Sequence, residues 1–515
     1  MTSPVPPAEA ARRLSETRGW VLFCFCVFAL KLLLFAIDPL PKFVMGDSGS
    51  YIWTALSGWI PEDRSYFYGY VIRWTSVWPE SLTGLLAFQA CLSAITCILL
   101  AATCRFIFKL PARWSCLFGF LCALDPLQLL WERYVMTETI SLGLYAFVIF
   151  HSCLYLRDRR LRYLALVQVF SVLLIGFRIS FLVLVEANSV ILPLIAFAPG
   201  ILARLRGRAT ENASRWSVVR LCGGHLLASV LLMLLLHTGY KRANGWVSKR
   251  EPAYLYATGT TILAYWAPIL QPEDASDPRL ADLIRQGDEF GLRDFALRNG
   301  QRFSPGGLLD RWAKIEPDPS KANTIARRTA RRTLSHHPLG VLSLPWHIYQ
   351  EYWSVQALKQ FAERDFSLHN PPTADLIALL ATRFHLTQDN GAPRSFLQWY
   401  YIGAWPYYFL VLLAPLLSGL AILLKAGRPY AIVLFVHISI MMGMSMTFGS
   451  ETLRFLQPIS FMTILVLALG AKAVFKPGCA TNEEAVSNDA PSPVQSPLTL
   501  PSPLDDLAPS AVIAS

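Results

Sequence analysis

Apolar residues fill long stretches of this chain, and polar residues gather between them. About 20 apolar residues wound as a helix cross the ~30 Å hydrocarbon layer of a bilayer. Ten stretches approach that length: 20–37, 81–104, 115–131, 135–156, 162–177, 179–203, 219–238, 402–424, 430–448 and 455–475. They predict an all-α polytopic membrane protein with about ten transmembrane helices. The stretches 115–131 and 162–177 are short and contain or abut polar residues. Asp38-Pro39-Leu40-Pro41 follows the first stretch where a small-residue cleavage site would stand, so that stretch reads as a retained anchor.

The connections divide by charge. Arg12, Arg13 and Arg18 precede the first stretch, and Arg105, Lys109 and Arg113 join the second and third. Arg157, Arg159, Arg160 and Arg162 follow the fourth; Arg204, Arg206, Arg208, Arg215 and Arg220 follow the sixth. Lys425, Arg428, Lys472 and Lys476 fall on the same side, whereas the opposite short connections carry only Arg133, Arg178 and Arg454. Basic residues accumulate on the cytoplasmic side, which places both termini there. Segments 38–80 and 239–401 then become two large extracytoplasmic loops. The expected order is a cytoplasmic tail (1–19), a seven-helix module (20–238), the large loop (239–401), three further helices (402–476) and a disordered Pro/Ser/Ala-rich cytoplasmic tail (477–515). Asn212-Ala213-Ser214 matches a glycosylation sequon but falls on the cytoplasmic side.

Composition narrows the class. Hydrophobic residues make up 54% of the 515 positions and charged residues 16%, against about 25% charged in a soluble protein. Mean hydropathy is +0.39. These values exclude a disordered protein, a coiled coil and an ordinary soluble enzyme. The net charge of +11 resides largely at the ends of apolar stretches, so it reports topology and not nucleic acid. Of the ten Cys, nine lie in apolar stretches and Cys479 in the tail, with no CxxC and no Cys/His metal spacing. Neither a disulfide framework nor a zinc site is expected. No repeat of broken helices suggests a secondary transporter.

The polar chemistry begins just after the first stretch, at Met45-Gly46-Asp47-Ser48-Gly49-Ser50-Tyr51. Ile52, Leu56, Trp59 and Ile60 follow at helical spacing, with Tyr51, Trp53 and Trp59 as aromatic anchors, and Pro61 ends the run. A helix lying flat at the membrane surface is expected. Asp47 has two readings. It is good N-cap chemistry for that helix. It is also a carboxylate at the membrane face, able to take a proton from an acceptor hydroxyl as a general base. Glu62-Asp63-Arg64-Ser65, an aromatic run and Arg73 complete the loop.

This plan resembles the GT-C glycosyltransferases, integral-membrane enzymes that use polyprenyl-phosphate sugars, and within them the protein O-mannosyltransferase and lipid A aminoarabinose transferase groups. The resemblance implies a seven-span module, a long first outer loop, a second long outer loop after span seven and inversion at the anomeric carbon. It implies that Asp47 is catalytic. The family often has an acidic pair at this point; here residue 48 is Ser, as in bacterial members with a GDSxxY pattern, which leaves a divalent cation open. Glu132 and Glu138 match a family pattern of acidic residues between spans three and four. Arg454, in Arg454-Phe455-Leu456-Gln457-Pro458, matches a late Arg-Tyr-x-x-Pro turn with Phe in place of Tyr.

Each of these residues also has a plainer reading. Glu138 opens a helix, where an acid suits the helix dipole. Arg178 and Arg454 could be interface anchors, and Glu451 could pair with Arg454. Glu186 lies inside an apolar stretch, where an ionisable group is costly and marks function by default; Lys31 and Asp125 raise the same question. A departing phosphate needs cations, and Arg suits it through its bidentate fork. The expected substrate contacts are Tyr51, Arg64, Arg73, Glu132, Glu138, Arg178 and Arg454, with Arg133, Lys241 and Arg242 as further outer-face cations.

The loop 239–401 holds 20 basic and 16 acidic residues. Residues 278–299 and the basic run 321–335 read as helices, and 339–361 as a segment lying back on the membrane. His336, His337 and His347 lack ligand spacing. The expected function is sugar transfer, hexosyl or pentosyl, from a polyprenyl- or dolichyl-phosphate donor to a lipid, glycan or protein acceptor. The site would face the periplasm from a bacterial inner membrane. A flippase of lipid-linked glycans and a glycan polymerase or ligase are the alternatives.

Overall fold

The structure is a computed structural model that describes residues 7–44, 46–205, 215–366, 373–386, 396–423, 427–448 and 452–474. Lys425, Glu451, the 212–214 sequon and the tail 477–515 lie outside the described residues. The described chain is helical throughout, with one isolated β-bridge and no strand. The membrane-embedded half begins with α1 (Pro7–Ile37), α2 (Asp47–Ser57), α3 (Phe67–Ile72), α4 (Thr83–Ala102) and α5 (Ala112–Ala123). It continues with α6 (Pro126–Trp131), α7 (Glu138–Asp158), α8 (Leu161–Phe177), α9 (Leu182–Leu205) and α10 (Arg215–Ser248).

A layer of short helices follows: α11 (Thr258–Tyr265), α12 (Pro278–Arg285), α13 (Arg298–Phe303), α14 (Leu308–Ile315), α15 (Pro319–His336), α16 (Pro338–Glu351), α17 (Val355–Asp365), α18 (Ala374–Phe384) and α19 (Phe396–Gly403). The chain then returns to long apolar segments in α20 (Trp405–Leu412), α21 (Ala414–Leu423), α22 (Arg428–Phe448) and α23 (Gln457–Val474).

Seven helices are long and apolar enough to cross a membrane, or eight if the pair α20–α21 is one bent span. Their burial sorts them. The segment Leu453–Ala473 is 78% buried and α7 is 72% buried, whereas α1 and α10 are 17% buried over their most apolar windows. α10 exposes Leu227, Leu231, Leu234 and Leu235 along one side, and α1 exposes Val21, Leu22 and Phe25. Patches of this size mark a surface that water does not cover. These are lipid-facing helices around a packed centre, as expected of a multi-pass integral membrane protein.

Two of the ten apolar stretches are not single helices. At 115–131 the chain breaks at Asp125-Pro126. The residue before proline is driven from α geometry, and Asp125 is extended and accepts the Leu127 N–H at 2.9 Å as the cap of α6. The remaining α5 has 12 residues, about 18 Å of helix. At 402–424, α20 and α21 meet at 50°. Pro415 sits just inside α21, where its ring and missing N–H prevent a continuous helix. α8, with 17 residues, is likewise short. The helix over the seventh apolar stretch, by contrast, runs on to Ser248, past the end of its apolar part.

The loops are also revised in detail. The surface helix begins at Asp47 and is ended by Gly58, in left-handed geometry with φ 76°, before Pro61 is reached. It packs on α3 at Gly69, where an added Cβ would lie 2.5 Å from Thr54 Cγ2. The 278–299 stretch is α12 followed by short 3-10 turns, not one helix. The basic run forms α15, capped by Asp318. Helices α11–α15 carry their own core around Leu263, Trp266, Leu280, Ile284, Leu308 and Trp312. α16 exposes Leu339, Leu342 and Trp346, consistent with its apolar side lying against lipid.

Candidate functional site

The first loop is pinned to the turn before α7 by the β-bridge Lys42–Tyr134. The Lys42 N–H donates to the Arg133 carbonyl at 2.7 Å, and the Val135 N–H donates to the Lys42 carbonyl at 2.9 Å. This register sets Asp47, five residues beyond Lys42, near Glu138, four beyond Tyr134. Gly46 then turns the chain with φ 79°, a conformation open to glycine and costly for other residues. α2 starts immediately after it. The Asp47 carboxylate makes no cap hydrogen bond; Ser48 Oγ instead takes the Val44 N–H at 2.9 Å. The capping reading of Asp47 is thus corrected.

Asp47 is occupied by two arginines. Arg64 Nη1 donates to Oδ1 at 2.6 Å, and Arg454 Nη1 donates to Oδ2 at 2.8 Å. The Asp47 side chain keeps 28% exposure, and Arg64 and Arg454 keep 17% each. Burial alone would raise the Asp47 carboxyl pKa, but Arg454 and Arg64 together outweigh it and hold the group below the ordinary carboxylate range. Tyr51, one turn along α2, is buried with its ring under the Arg64 guanidinium at 5.7 Å. Burial, then the Asp47 charge, pushes its hydroxyl upward, so Tyr51 is a neutral donor.

The chain of charges extends both ways. Outward, Arg64 forks onto Asp63 through Nε at 3.0 Å and Nη2 at 2.7 Å. Arg302 of α13 approaches Asp63 at 3.7 Å and donates to the Tyr265 hydroxyl at 2.7 Å, so the α11–α15 layer reaches the site. Inward, Arg454 Nε donates to Glu138 Oε1. Glu138 opens α7 and has no solvent exposure. Arg178, in the extended link between α8 and α9, approaches the same Oε1 at 3.8 Å, beyond hydrogen-bonding range. Its Nη1 and Glu138 Oε2 are buried without hydrogen-bond partners among the described residues. Burial lowers the Arg178 pKa to about 10, with Glu138 offsetting part of the effect.

A residue that sequence reasoning missed orients Arg454. Asp365, at the end of α17, is buried and receives Thr452 Oγ1, the Leu453 N–H at 2.9 Å and the Tyr401 hydroxyl at 2.8 Å. Its carbonyl receives the Tyr134 hydroxyl. Tyr352 donates to the Thr452 carbonyl at 2.7 Å. The turn that launches Arg454 is therefore fixed from several sides. Trp131 and Phe455 flank the guanidinium at 5.8 and 5.6 Å. In the sequence Asp365 is one acid of a charged run, Glu363-Arg364-Asp365, beside Phe366 in a long loop, which does not single it out.

Asp47, Tyr51, Arg64, Glu138, Arg178 and Arg454 thus come together, and Glu132 and Arg73 do not join their contacts. Glu132 receives Lys31 Nζ at 2.5 Å and Ser93 Oγ at 2.5 Å inside the bundle, which also accounts for Lys31. Arg73 lies half-buried in a π-helical turn, Arg73–Val77, without an ion pair to a described residue. Arg133 is buried, donating to the Asp38 carbonyl at 2.8 Å. Glu186, read as a buried intramembrane acid, is exposed on the second turn of α9. Among the described residues no three His, Cys, Asp or Glu side chains gather as a metal-ligand set, and Asp47 and Glu138 are each turned to Arg454. No family model, no curated protein and no solved structure matches this chain.

Proposed function

We propose that this protein is a GT-C-like membrane glycosyltransferase that moves a sugar from a polyprenyl- or dolichyl-phosphate donor to an acceptor at the extracytoplasmic face. The observation that carries the proposal is the Asp47 carboxylate, partly exposed and held between Arg64 and Arg454, with the under-coordinated Arg178 behind them. In this reading α5, α8 and the bent α20–α21 pair complete about ten spans. The α2–α3 and α11–α19 segments are the two outer loops, in a bacterial inner membrane facing the periplasm.

The chemistry follows from the charges. The acceptor O–H gives its proton to Asp47 while its oxygen bonds to the anomeric carbon from the face opposite the phosphate. The bond from that carbon to the phosphate oxygen breaks, and polyprenyl phosphate leaves with the electron pair. Arg454, Arg178 and Arg64 offset the charge that grows on the leaving phosphate. Two arginines on Asp47 make it a weak base. A donor phosphate competes for the same guanidiniums, loosens them from Asp47 and restores its basicity. Binding of the donor thereby arms the base.

The test is a mass comparison of envelope glycans, glycolipids and glycoproteins from a deletion strain carrying wild-type or Asp47→Asn protein at equal membrane levels. Loss of one sugar from one glycan in both the deletion and the mutant is the expected result. Full restoration by Asp47→Asn defeats the proposal and makes transport of lipid-linked glycans the leading reading. Against transport stands the closure of polar side chains inside the bundle into local pairs, such as Gln168–Ser229 at 3.0 Å and Tyr155–His225 at 2.9 Å. A glycan polymerase or ligase remains the other enzymatic reading.

A further inference from the structure

A second polar feature lies outside the Asp47 site. A cavity of about 730 Å³ opens at the end of α10, lined in part by Tyr70, Arg242, Trp246, Lys249, Arg250 and Pro252. Three lining side chains are cationic. The acid in contact with them is Glu62, which takes Arg250 Nη1 at 2.8 Å. The cavity sits at the C-terminal end of α10, beyond the apolar stretch 219–238, on the side where a spanning helix meets lipid headgroups. Two aromatic side chains, Tyr70 and Trp246, line it. Trp246 is 83% exposed, and Tyr70, Trp74 and Trp78 are exposed at successive turns of the helix beginning at α3. Rings of this kind collect at the headgroup boundary.

The backbone supplies an independent observation. α10 ends with the Arg250 N–H donating to the Gly245 carbonyl at 3.0 Å and the Lys249 N–H to the Trp246 carbonyl at 3.4 Å. This pattern puts residue 249 in left-handed geometry, where glycine is the ordinary occupant. Lys249 holds it with φ 54°. Cations suit a helix C-terminus through the dipole, but Arg242 and Arg250 supply that without strain. Lys109 and Arg159 hold similar φ of 62° and 53° at other helix ends; what sets Lys249 apart is that it lines a cavity together with two arginines.

We infer that this cavity binds the phosphate headgroup of an anionic bilayer lipid, with the lipid chains lying along the exposed leucines of α10. The site goes beyond the transfer reaction and stands or falls separately from it.

The test uses the full-length protein in nanodiscs containing brominated phosphatidylglycerol or brominated phosphatidylcholine. The signal of Trp246, one of 15 tryptophans, is isolated by subtracting Trp246→Phe. Phosphatidylglycerol is expected to quench Trp246 at lower mole fraction, with the preference falling roughly fivefold for each cation removed in Arg242→Gln and Lys249→Gln. Lys249→Gly separates charge from folding. It relieves the strained backbone, so thermal stability holds or rises while the lipid preference falls. Asp47→Asn leaves the preference intact. Equal quenching by the two lipids, or an undiminished preference in Lys249→Gly, overturns the inference. Displacement of phosphatidylglycerol by excess inorganic phosphate overturns the lipid assignment in favour of a soluble anion.

Discussion

Glu132 and Glu138 stand six residues apart, both without solvent exposure, and they sit in different electrostatic surroundings. Glu132 pairs with Lys31 across the bundle, both side chains at 1% exposure or less. Ser93 donates to the same oxygen, Gln128 donates to Ser93 Oγ at 2.5 Å, and Gln89 donates to the Glu132 and Tyr134 carbonyls at 3.0 Å. That network stays inside the bundle: the second Glu132 oxygen, Oε2, has only the approach of buried Arg133 Nη1 at 3.6 Å and no hydrogen-bond partner among the described residues. Glu138 shares Arg454 with Asp47, which reaches solvent, and leaves Arg178 under-coordinated. Burial does not separate the two acids. What separates them is whether the partners stay inside the bundle or lead, through Arg454, to the partly exposed Asp47 that a ligand could join.

The largest effect expected from this contrast is on stability. Lys31→Met leaves buried Glu132 with only the 3.6 Å approach of Arg133, at a cost of up to about 3–5 kcal/mol. Thermal unfolding of the purified full-length chain in detergent, and its level in the membrane, should both drop sharply. Lys31→Met combined with Glu132→Leu should recover most of the loss, because a matched apolar pair replaces the ion pair. If the double variant is as unstable as the single one, the pair is more than a structural contact.

At the open cluster the order reverses. Arg454→Gln leaves buried Glu138 with only Arg178 at 3.8 Å, so some loss of membrane level is expected, while transfer per molecule in the membrane falls roughly 10²–10³-fold, the scale of removing one transition-state charge contact. The rate of sugar appearance in the glycan found by mass comparison is the measurement. Combining Arg454→Gln with Glu138→Gln should not restore it. Recovery in that double variant would make this cluster structural, like the one at Glu132.

The contrast also shows what a sequence displays. Asp47, Glu138, Arg178 and Arg454 are visible because each stands next to an apolar stretch in a short polar segment. The Lys31–Glu132 pair spans 101 residues and carries no local pattern; Glu132 looks like Glu138 until the packing is known. Asp365 lies 88 positions before Leu453, inside a loop whose charges are nearly balanced. The all-helical, multi-pass class was legible from the apolar pattern, and seven of the ten stretches are helices long and apolar enough to cross a membrane. Their breaks at Asp125-Pro126 and before Pro415 were written in the prolines, which a count of apolar residues passes over.

Asp365 yields the next effect in size, and its sign can be worked out. Burial pushes its carboxyl up to about 6, against the hydrogen bonds from Thr452, Tyr401 and the Leu453 N–H and the charge of Arg454. The other groups facing it are the Tyr134 and Tyr352 hydroxyls. Between its unfolded value of about 4 and 6 the folded protein binds the extra proton, so this group's contribution to fold stability grows as pH falls. Activity runs the other way. Protonation removes an acceptor that holds the Thr452–Arg454 turn, and transfer should decline as pH drops through about 6. Asp47, held below the carboxylate range, stays ionised there. Asp365→Asn should lower transfer about tenfold at neutral pH, the value of one hydrogen bond to a charged group, and flatten the profile near pH 6. An unchanged profile in Asp365→Asn would assign the decline to another group.

The smallest expected effect tests how far the open cluster extends. Arg302 approaches Asp63 at 3.7 Å with side-chain exposures of 19% and 32%. Partly exposed pairs of this kind contribute about 0–1 kcal/mol and weaken with salt. Arg302→Gln should therefore reduce transfer less than roughly fivefold, and added salt should bring wild type and variant closer together. The Tyr265 hydrogen bond is lost in the same substitution, so Tyr265→Phe serves as the control for packing of the α11–α15 layer. If Arg302→Gln and Tyr265→Phe behave alike, the layer merely rests on Asp63. If Arg302→Gln alone shows a salt-dependent deficit, the fourth arginine belongs electrostatically to the site, and the outer layer helps set the charge that Asp47 feels.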